Sequence, residues 1–253
     1  MNKYDIFSFL IEKAEKYECP SFIKDDPIKL PHQFSNKKDI EIISFLVAII
    51  AWGNRKSIIK SGKNIIKLLE NSPHDFILNH SSKELNSLTN FKHRTFNGED
   101  LKYFIERLKI IYLNEKSLEN FIYIPNKNIS EMQSRFHQKF FIYPHKKRTE
   151  KHIANPSKGS AAKRINMFFR WMVRSNKNGV DFGIWNKIKP NQLSCPLDIH
   201  SGKVARRLGI LKRKQNDHKA VIELDSILKS IIPNDPVKLD FALFGLGIHE
   251  NFK

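Results

Sequence analysis

Residues 40–51, Ile-Glu-Ile-Ile-Ser-Phe-Leu-Val-Ala-Ile-Ile-Ala, constrain the fold more than any other stretch of this chain. A helix with one apolar stripe needs only a surface to lie on. This one is apolar on nearly every side, so it has to pass through a core. Asp39 stands where its N-cap belongs, and Gly53 with Asn54 ends it. A helix threaded through a centre must be surrounded, and other helical segments supply the surroundings. Period-two alternation is rare, whereas apolar residues at i, i+3 and i+4 recur. The spacing predicts a surface helix from Met1 to Lys16 and further helices over Ser57–Glu70, Gly98–Tyr112, Ser130–Phe141 and Ser160–Arg174. It predicts three more over His200–Leu208, His218–Ile232 and Val237–Leu246. The expected fold class is all-α, with about eight to ten helices. Pro144 and Pro156 keep any helix from crossing Tyr143–Gly159.

Composition narrows the function. Hydrophobic residues make up 40% of the 253 and Phe occurs 19 times, so the chain has a core and is no disordered tail. The formal net charge is +18, which points to an anionic partner, most simply nucleic acid. Two cysteines, Cys19 and Cys195, make neither a four-thiolate cluster nor a disulfide framework, and a reducing cytoplasm is the expected setting. The most apolar run, Phe45 to Trp52, is far shorter than the roughly 20 residues a membrane-spanning helix needs. A membrane-surface role is disfavoured as well, because the charge sits in mid-chain clusters and not along one amphipathic helix. From Lys139 to Arg174 ten Lys or Arg stand against a single acid, Glu150. A loop and the helix it feeds carry this run, and backbone N–H groups at that helix start add to the attraction for phosphate.

Two features in the second half carry chemistry. In Ser160–Arg174 the apolar residues Ala161, Ile165, Phe168, Phe169 and Met172 mark a core face. Lys163, Arg170 and Arg174, seven and four apart, fall within roughly 20° of one line, so one stripe of a mostly buried helix is cationic. A neutral amine on that stripe is a competent nucleophile for Schiff-base formation; the bland alternative is a phosphate-binding or merely exposed edge. In Cys195-Pro-Leu-Asp-Ile-His200, Asp198 follows a proline and an apolar residue at an expected helix start. It is either an ordinary N-cap or a carboxylate placed to stabilise developing positive charge.

Taken together these residues resemble the helix-hairpin-helix DNA glycosylase superfamily, which includes endonuclease III and the 8-oxoguanine DNA glycosylases. Leu46-Val-Ala-Ile-Ile-Ala-Trp-Gly-Asn54 resembles the core helix and turn from which a family Gln wedges into DNA, with Asn54 in that place. Pro196-Leu-Asp-Ile-His200, with Val204, Ala205 and Arg207, closely resembles the family's Pro-Val-Asp-Val-His element, whose Asp is catalytic and whose His lies near phosphate. Ala242-Leu-Phe-Gly-Leu-Gly247 resembles the late helix of the 8-oxoguanine glycosylases, with Phe244 matching the aromatic that stacks on the extruded base. The family's hairpin consensus is absent. Asn155-Pro-Ser-Lys-Gly-Ser-Ala-Ala-Lys163 stands in its place, similar to the archaeal 8-oxoguanine glycosylases, and makes Lys163 the match for the family nucleophile with Lys158 in reserve. The whole chain is closer still to an uncharacterised bacterial family, domain of unknown function 2400, a resemblance that implies no activity.

The resemblance implies a glycosylase-like unit over 1–253, with a cleft between two helical subdomains. The expected division sets 1–70 plus 200–253 against 71–199. It implies base-excision repair of damaged double-stranded DNA, possibly at an oxidised purine, with lyase activity, by a monomer that needs no metal or organic cofactor. Lys163 and Asp198 are the implied catalytic pair, and Phe244 and Trp52 the aromatic faces for the base. Asn54, Arg55, Lys158, Arg170, Arg174, His200 and Lys203 are the implied DNA contacts. The competing expectation is a non-catalytic DNA- or RNA-binding protein that keeps the fold. Each residue also has a plain structural role open to it: Phe244 and Trp52 as core, His200 as surface, Asn54 as a cap.

Overall fold

A computed structural model of the chain describes residues 3–250 and Phe252. Among them the first half holds α1 Lys3–Tyr17, α2 Lys37–Ile50, α3 Arg55–Leu68, α4 Pro73–Asn79, α5 Ser82–Ser87 and α6 Gly98–Glu115. The second half holds α7 Leu118–Ile122, α8 Ile129–Phe140, α9 Lys163–Val173, α10 Ile199–Arg207, α11 His218–Ile231 and α12 Leu239–His249. The molecule is thus mostly helical, as the periodicity predicts. Tyr143–Gly159 contains only 3-10 turns. The expected helix at Met1 and Asn2 lies outside the described residues.

Two features leave no mark in the residue spacing. Lys92–His93 and Phe96–Asn97 form a two-stranded antiparallel hairpin, β1 and β2, too short to show alternation. The short helices α4, α5 and α7 lack the length for a periodic stripe. Proline is at home at the first position of a helix, and α4 begins at Pro73.

The chain falls into two compact units. The first comprises the residues up to Lys24, Lys127–Gln133 and the residues from Ala154 onward; the second comprises Asp25–Asn126 and Ser134–Ile153. This grouping differs from the expected one, because α2 packs on α3 and α4, and α6 packs on α4. Residues 25–70 therefore belong with 71–126, and 154–199 belong with the C-terminal helices.

In the second unit α2 is the core helix, with every residue from Ile40 to Ile50 buried. Its N-cap is Asn36, whose side chain accepts from the Lys38 N–H, and not Asp39. The Asp39 carboxylate instead accepts from the His74 N–H at 2.8 Å, at the start of α4. Phe45 on α2 packs against Phe104, Phe136 and Phe140, with ring centroids within 5.9 Å. Burying one such ring contributes about 2 kcal/mol.

In the first unit α12 packs against α1 and α10. Leu10, Ala14, Val204, Ala205, Leu224, Leu243 and Leu246 are fully enclosed there. Gly245 makes that approach possible, since a Cβ in its place would meet the Tyr17 ring at 2.2 Å. The glycine thus serves the contact of α12 with α1.

Candidate active site: a lysine and an aspartate at two helix starts

Lys163 is the first residue of α9 and not, as the spacing predicts, one turn inside it. Ala162 adopts a left-handed conformation with φ of 50°, which an alanine tolerates poorly and which stops the helix from extending back to Ser160. The Ser160 hydroxyl accepts from the Ala162 N–H at 3.1 Å. The preceding strand is tied down by the His218 N–H, which donates to the Gly159 carbonyl at 3.0 Å. The turn is therefore built, and it fixes where the lysine emerges. A cation there stands at the positive end of the helix dipole, the end that local electrostatics would give to an acid.

Asp198 is the N-cap of α10. Its Oδ1 accepts from the backbone N–H groups of His200 at 2.8 Å and Ser201 at 2.9 Å. The Asp198 N–H donates back to the Ser201 hydroxyl at 2.9 Å, closing a capping box. The Asn216 side chain donates to the Asp198 carbonyl at 2.8 Å. One carboxylate oxygen is thus spent on the helix. The other, Oδ2, lies 3.5 Å from the Lys163 amine. The cap and the charge-stabilising role are two oxygens of one group, and neither excludes the other. With one third of the Lys163 side chain and 17% of that of Asp198 exposed, the pair is open to solvent.

A second layer of acids holds the segment that delivers Asp198. Asp225 Oδ1 accepts from the Cys195 N–H at 2.8 Å. Burial pushes its carboxyl up to about 6 against the lowering effect of that bond and of Ser194. Asp240, at the start of α12, is buried and accepts from Arg170 Nη1 at 2.7 Å. Burial raises its pKa, the Arg170 charge opposes that, and the nearby Asp198 charge raises it further. The Cys195 thiol donates to the other Asp240 oxygen at 3.7 Å and is itself pushed well up by burial, so it stays protonated.

The other expected contacts divide sharply. Arg170 and Arg174, expected as DNA contacts, are both buried and paired with acids. Arg170 faces Asp240 at 2.7 Å and Asp181 at 3.3 Å. Arg174 faces Glu18 and Asp181 at 2.6 Å and Asp235 at 2.8 Å. A guanidinium cannot be left uncompensated in a core, so acids distant in sequence neutralise the stripe. Lys158, His200 and Lys203 are exposed. Phe244 is half-buried, edge-on to Phe22 at 5.9 Å. It lies one turn beyond Asp240 on the same side of α12.

Asn54, Arg55 and Trp52 belong to the second unit. Asn54 is exposed and caps α3 by accepting from the Ser57 N–H at 3.3 Å; it does not end α2, whose C-cap is Ala51. Arg55 is the first residue of α3 and half-buried. The half-buried Trp52 ring meets His93 edge-on at 5.2 Å and stacks on His152 at 5.8 Å. Both of these ring partners belong to its own unit.

The run of ten cations between Lys139 and Arg174 is similarly divided. Lys146 pairs with Glu99 at 2.7 Å, Lys147 with Glu150 at 2.9 Å and Arg148 with Asp100 at 2.9 Å. Burial alone would raise the Asp100 carboxyl, but the adjacent His152 ring and hydrogen bonds from Asn97 and Thr149 prevail and hold it at about 2. Glu99 and Asp100 lie on α6, about 50 residues upstream, where counting within the run does not reach; Glu150 is the acid inside the run.

Fold and site together define a helical protein whose two compact units include one with a solvent-accessible lysine–aspartate pair. The chain belongs to the family described as Protein of unknown function (DUF2400), whose model matches residues 26–249. No curated protein and no solved structure matches the chain.

Proposed function

We propose that this protein is a DNA glycosylase with abasic-site lyase activity, acting as a monomer in the cytoplasm on damaged duplex DNA, with oxidised purines the first lesion class to test. The reading rests on the order Lys163, then Pro-x-Asp-x-His, then Phe244, which resembles the helix-hairpin-helix glycosylases. It takes the two helical units as a variant of that superfamily's fold. One observation carries it: an accessible amine 3.5 Å from a carboxylate, each fixed at the start of its own helix.

An N-glycosidic bond inside a stacked duplex is out of reach, so the nucleotide must swing out at a cost of a few kcal/mol, least for a damaged or mispaired base. The nitrogen lone pair of Lys163 then attacks C1′ while the base departs with the electrons of the glycosidic bond. Asp198 Oδ2 stabilises the positive charge that develops on the sugar. A proton passes from the new C1′–N ammonium to the ring oxygen O4′, the C1′–O4′ bond breaks, and an iminium links C1′ to Lys163. Loss of a C2′ proton expels the 3′-phosphate, which breaks the strand, and water releases the enzyme. Phe244 offers a face for the extruded base, a contact worth roughly 1–3 kcal/mol. Lys158, His200 and Lys203 are available to phosphate.

Borohydride reduction in the presence of lesion-containing duplex tests the reading. A covalent protein–DNA adduct that disappears with Lys163→Ala is expected. Wild-type protein that traps and cleaves nothing across a panel of oxidised, alkylated and abasic sites overturns it. A second reading, a non-catalytic nucleic-acid binder, is favoured by the net charge of +18, which calls for an anionic partner without any chemistry at Lys163. It predicts salt-sensitive binding to DNA or RNA that survives both Lys163→Ala and Asp198→Asn, with no adduct in the wild type.

A further inference from the structure

The second unit carries a cationic groove that the lysine–aspartate chemistry does not use. Lys60, Lys63 and Lys67 stand at i, i+3 and i+7 of α3, opposite its buried residues Ile58, Gly62, Ile65 and Ile66. Lys92 and Arg94, from the hairpin, form the facing wall, and Asn54, Ser57, Ser61 and Asn64 supply polar lining; the concavity encloses about 780 Å³. Among the described residues no carboxylate lines it. This contrasts with the Lys139–Arg174 run, whose cations are largely matched by acids. The hairpin wall is anchored. The buried His93 imidazole bridges the Ser61 hydroxyl at 2.9 Å and the Trp52 carbonyl at 3.3 Å. Arg94 has a left-handed backbone, φ of 54°, which costs on the order of 1 kcal/mol. Gly53, itself at φ of 97°, lets the Arg94 guanidinium lie close above it, where a Cβ would meet Nη1 at 2.7 Å. Arg94 thus takes the positive φ of a two-residue hairpin turn, lies against Gly53 and adds a guanidinium to a lysine-lined groove, a chemistry suited to an anion.

We infer that this groove, formed by Lys60, Lys63 and Lys67 of α3 with Lys92 and Arg94 of the hairpin, binds the phosphodiester backbone of a nucleic-acid strand. The three α3 lysines extend over roughly 10 Å, the reach of about three successive phosphates on one strand. Amide and hydroxyl groups at the floor add hydrogen bonds to phosphate and sugar without reading sequence. The inference does not rest on the glycosylase reading, since it requires no chemistry at Lys163.

Fluorescence anisotropy with a labelled undamaged duplex and with the matching single strand tests it, across 50–300 mM salt. Full-length wild-type protein is compared with Lys60→Ala/Lys63→Ala/Lys67→Ala, the corresponding triple Arg variant and Arg94→Ala. Each of the four is also titrated against vesicles rich in anionic lipid. The triple Ala variant is expected to lose at least tenfold in affinity at low salt and to shed about two to three units from the salt slope. The triple Arg variant should restore both, and Arg94→Ala should lose part of each. Unchanged affinity and slope in the triple Ala variant overturn the inference. So does vesicle binding that depends on these lysines while oligonucleotide binding does not. Borohydride adduct formation on an abasic duplex, measured on the same preparations at saturating protein, separates the outcomes. A groove failure leaves the adduct intact, and a failure of Lys163 chemistry leaves the slope intact.

Discussion

At the scale of single residues, Asp198 shows how one side chain holds a helix and still presents its second oxygen to a lysine. Oδ1 caps α10 and Oδ2 faces Lys163. Asparagine caps a helix about as well as aspartate but carries no charge. Asp198→Asn is therefore expected to change unfolding free energy by less than about 1 kcal/mol. It should lower the single-turnover rate of base release on the order of a hundredfold or more. Thermal melts and quenched-flow assays on one preparation check both halves. Asp225 gives a pH prediction. Its folded-state pKa, about 6, lies above the ordinary aspartate value, so the native state keeps a proton that the unfolded chain has lost. Stability from this group is present below about pH 4 and is lost as pH rises through about 6. Asp225→Asn should flatten that part of the profile and gain roughly 2 kcal/mol at pH 7.5. Denaturant melts at pH 4, 5, 6 and 7.5 would show it; a slope identical to wild type contradicts it.

At the scale of elements, α9 explains both what the sequence reveals and what it hides. Its apolar positions are legible: Ile165, Phe168, Phe169 and Met172 are completely enclosed. The cationic line of Lys163, Arg170 and Arg174 is legible too, because helical geometry alone sets it. What it faces is not. Arg174 meets Glu18, Asp181 and Asp235, residues as far as 156 positions away, and no local pattern announces such partners. Removing one side of a buried pair strands the other charges, so Arg174→Ala is expected to cost about 3–5 kcal/mol. Because the side chain is buried, the variant's salt slope for DNA binding should match wild type wherever it remains folded, which anisotropy checks. The start of α9 was hidden for a different reason. Ala162 in a left-handed conformation breaks a pattern of good helix formers, and composition gives no sign of it. The all-round apolar α2 was the easiest element to read, since burial on every side leaves no other solution.

At the scale of the whole molecule, the net charge of +18 is real, but its distribution differs from the sequence order. The densest run of cations along the chain is largely neutralised in space. A sparser set, three of them spaced along α3, is presented together. Sequence alone showed the excess and the helical class; which cations remain uncompensated depended on where distant acids fold. Duplex binding is expected to weaken steeply with salt, with a log–log slope of at least about −3 if the groove lysines contact phosphate. A titration series in added salt reads it directly. The claim on which the chemistry depends is that the Lys163 amine is the group that meets C1′. Peptide mass spectrometry of the protein after borohydride reduction on an abasic duplex locates the adduct. A sugar remnant on Lys163 is expected, whereas a remnant on Lys158 or another lysine, or none at all, contradicts it.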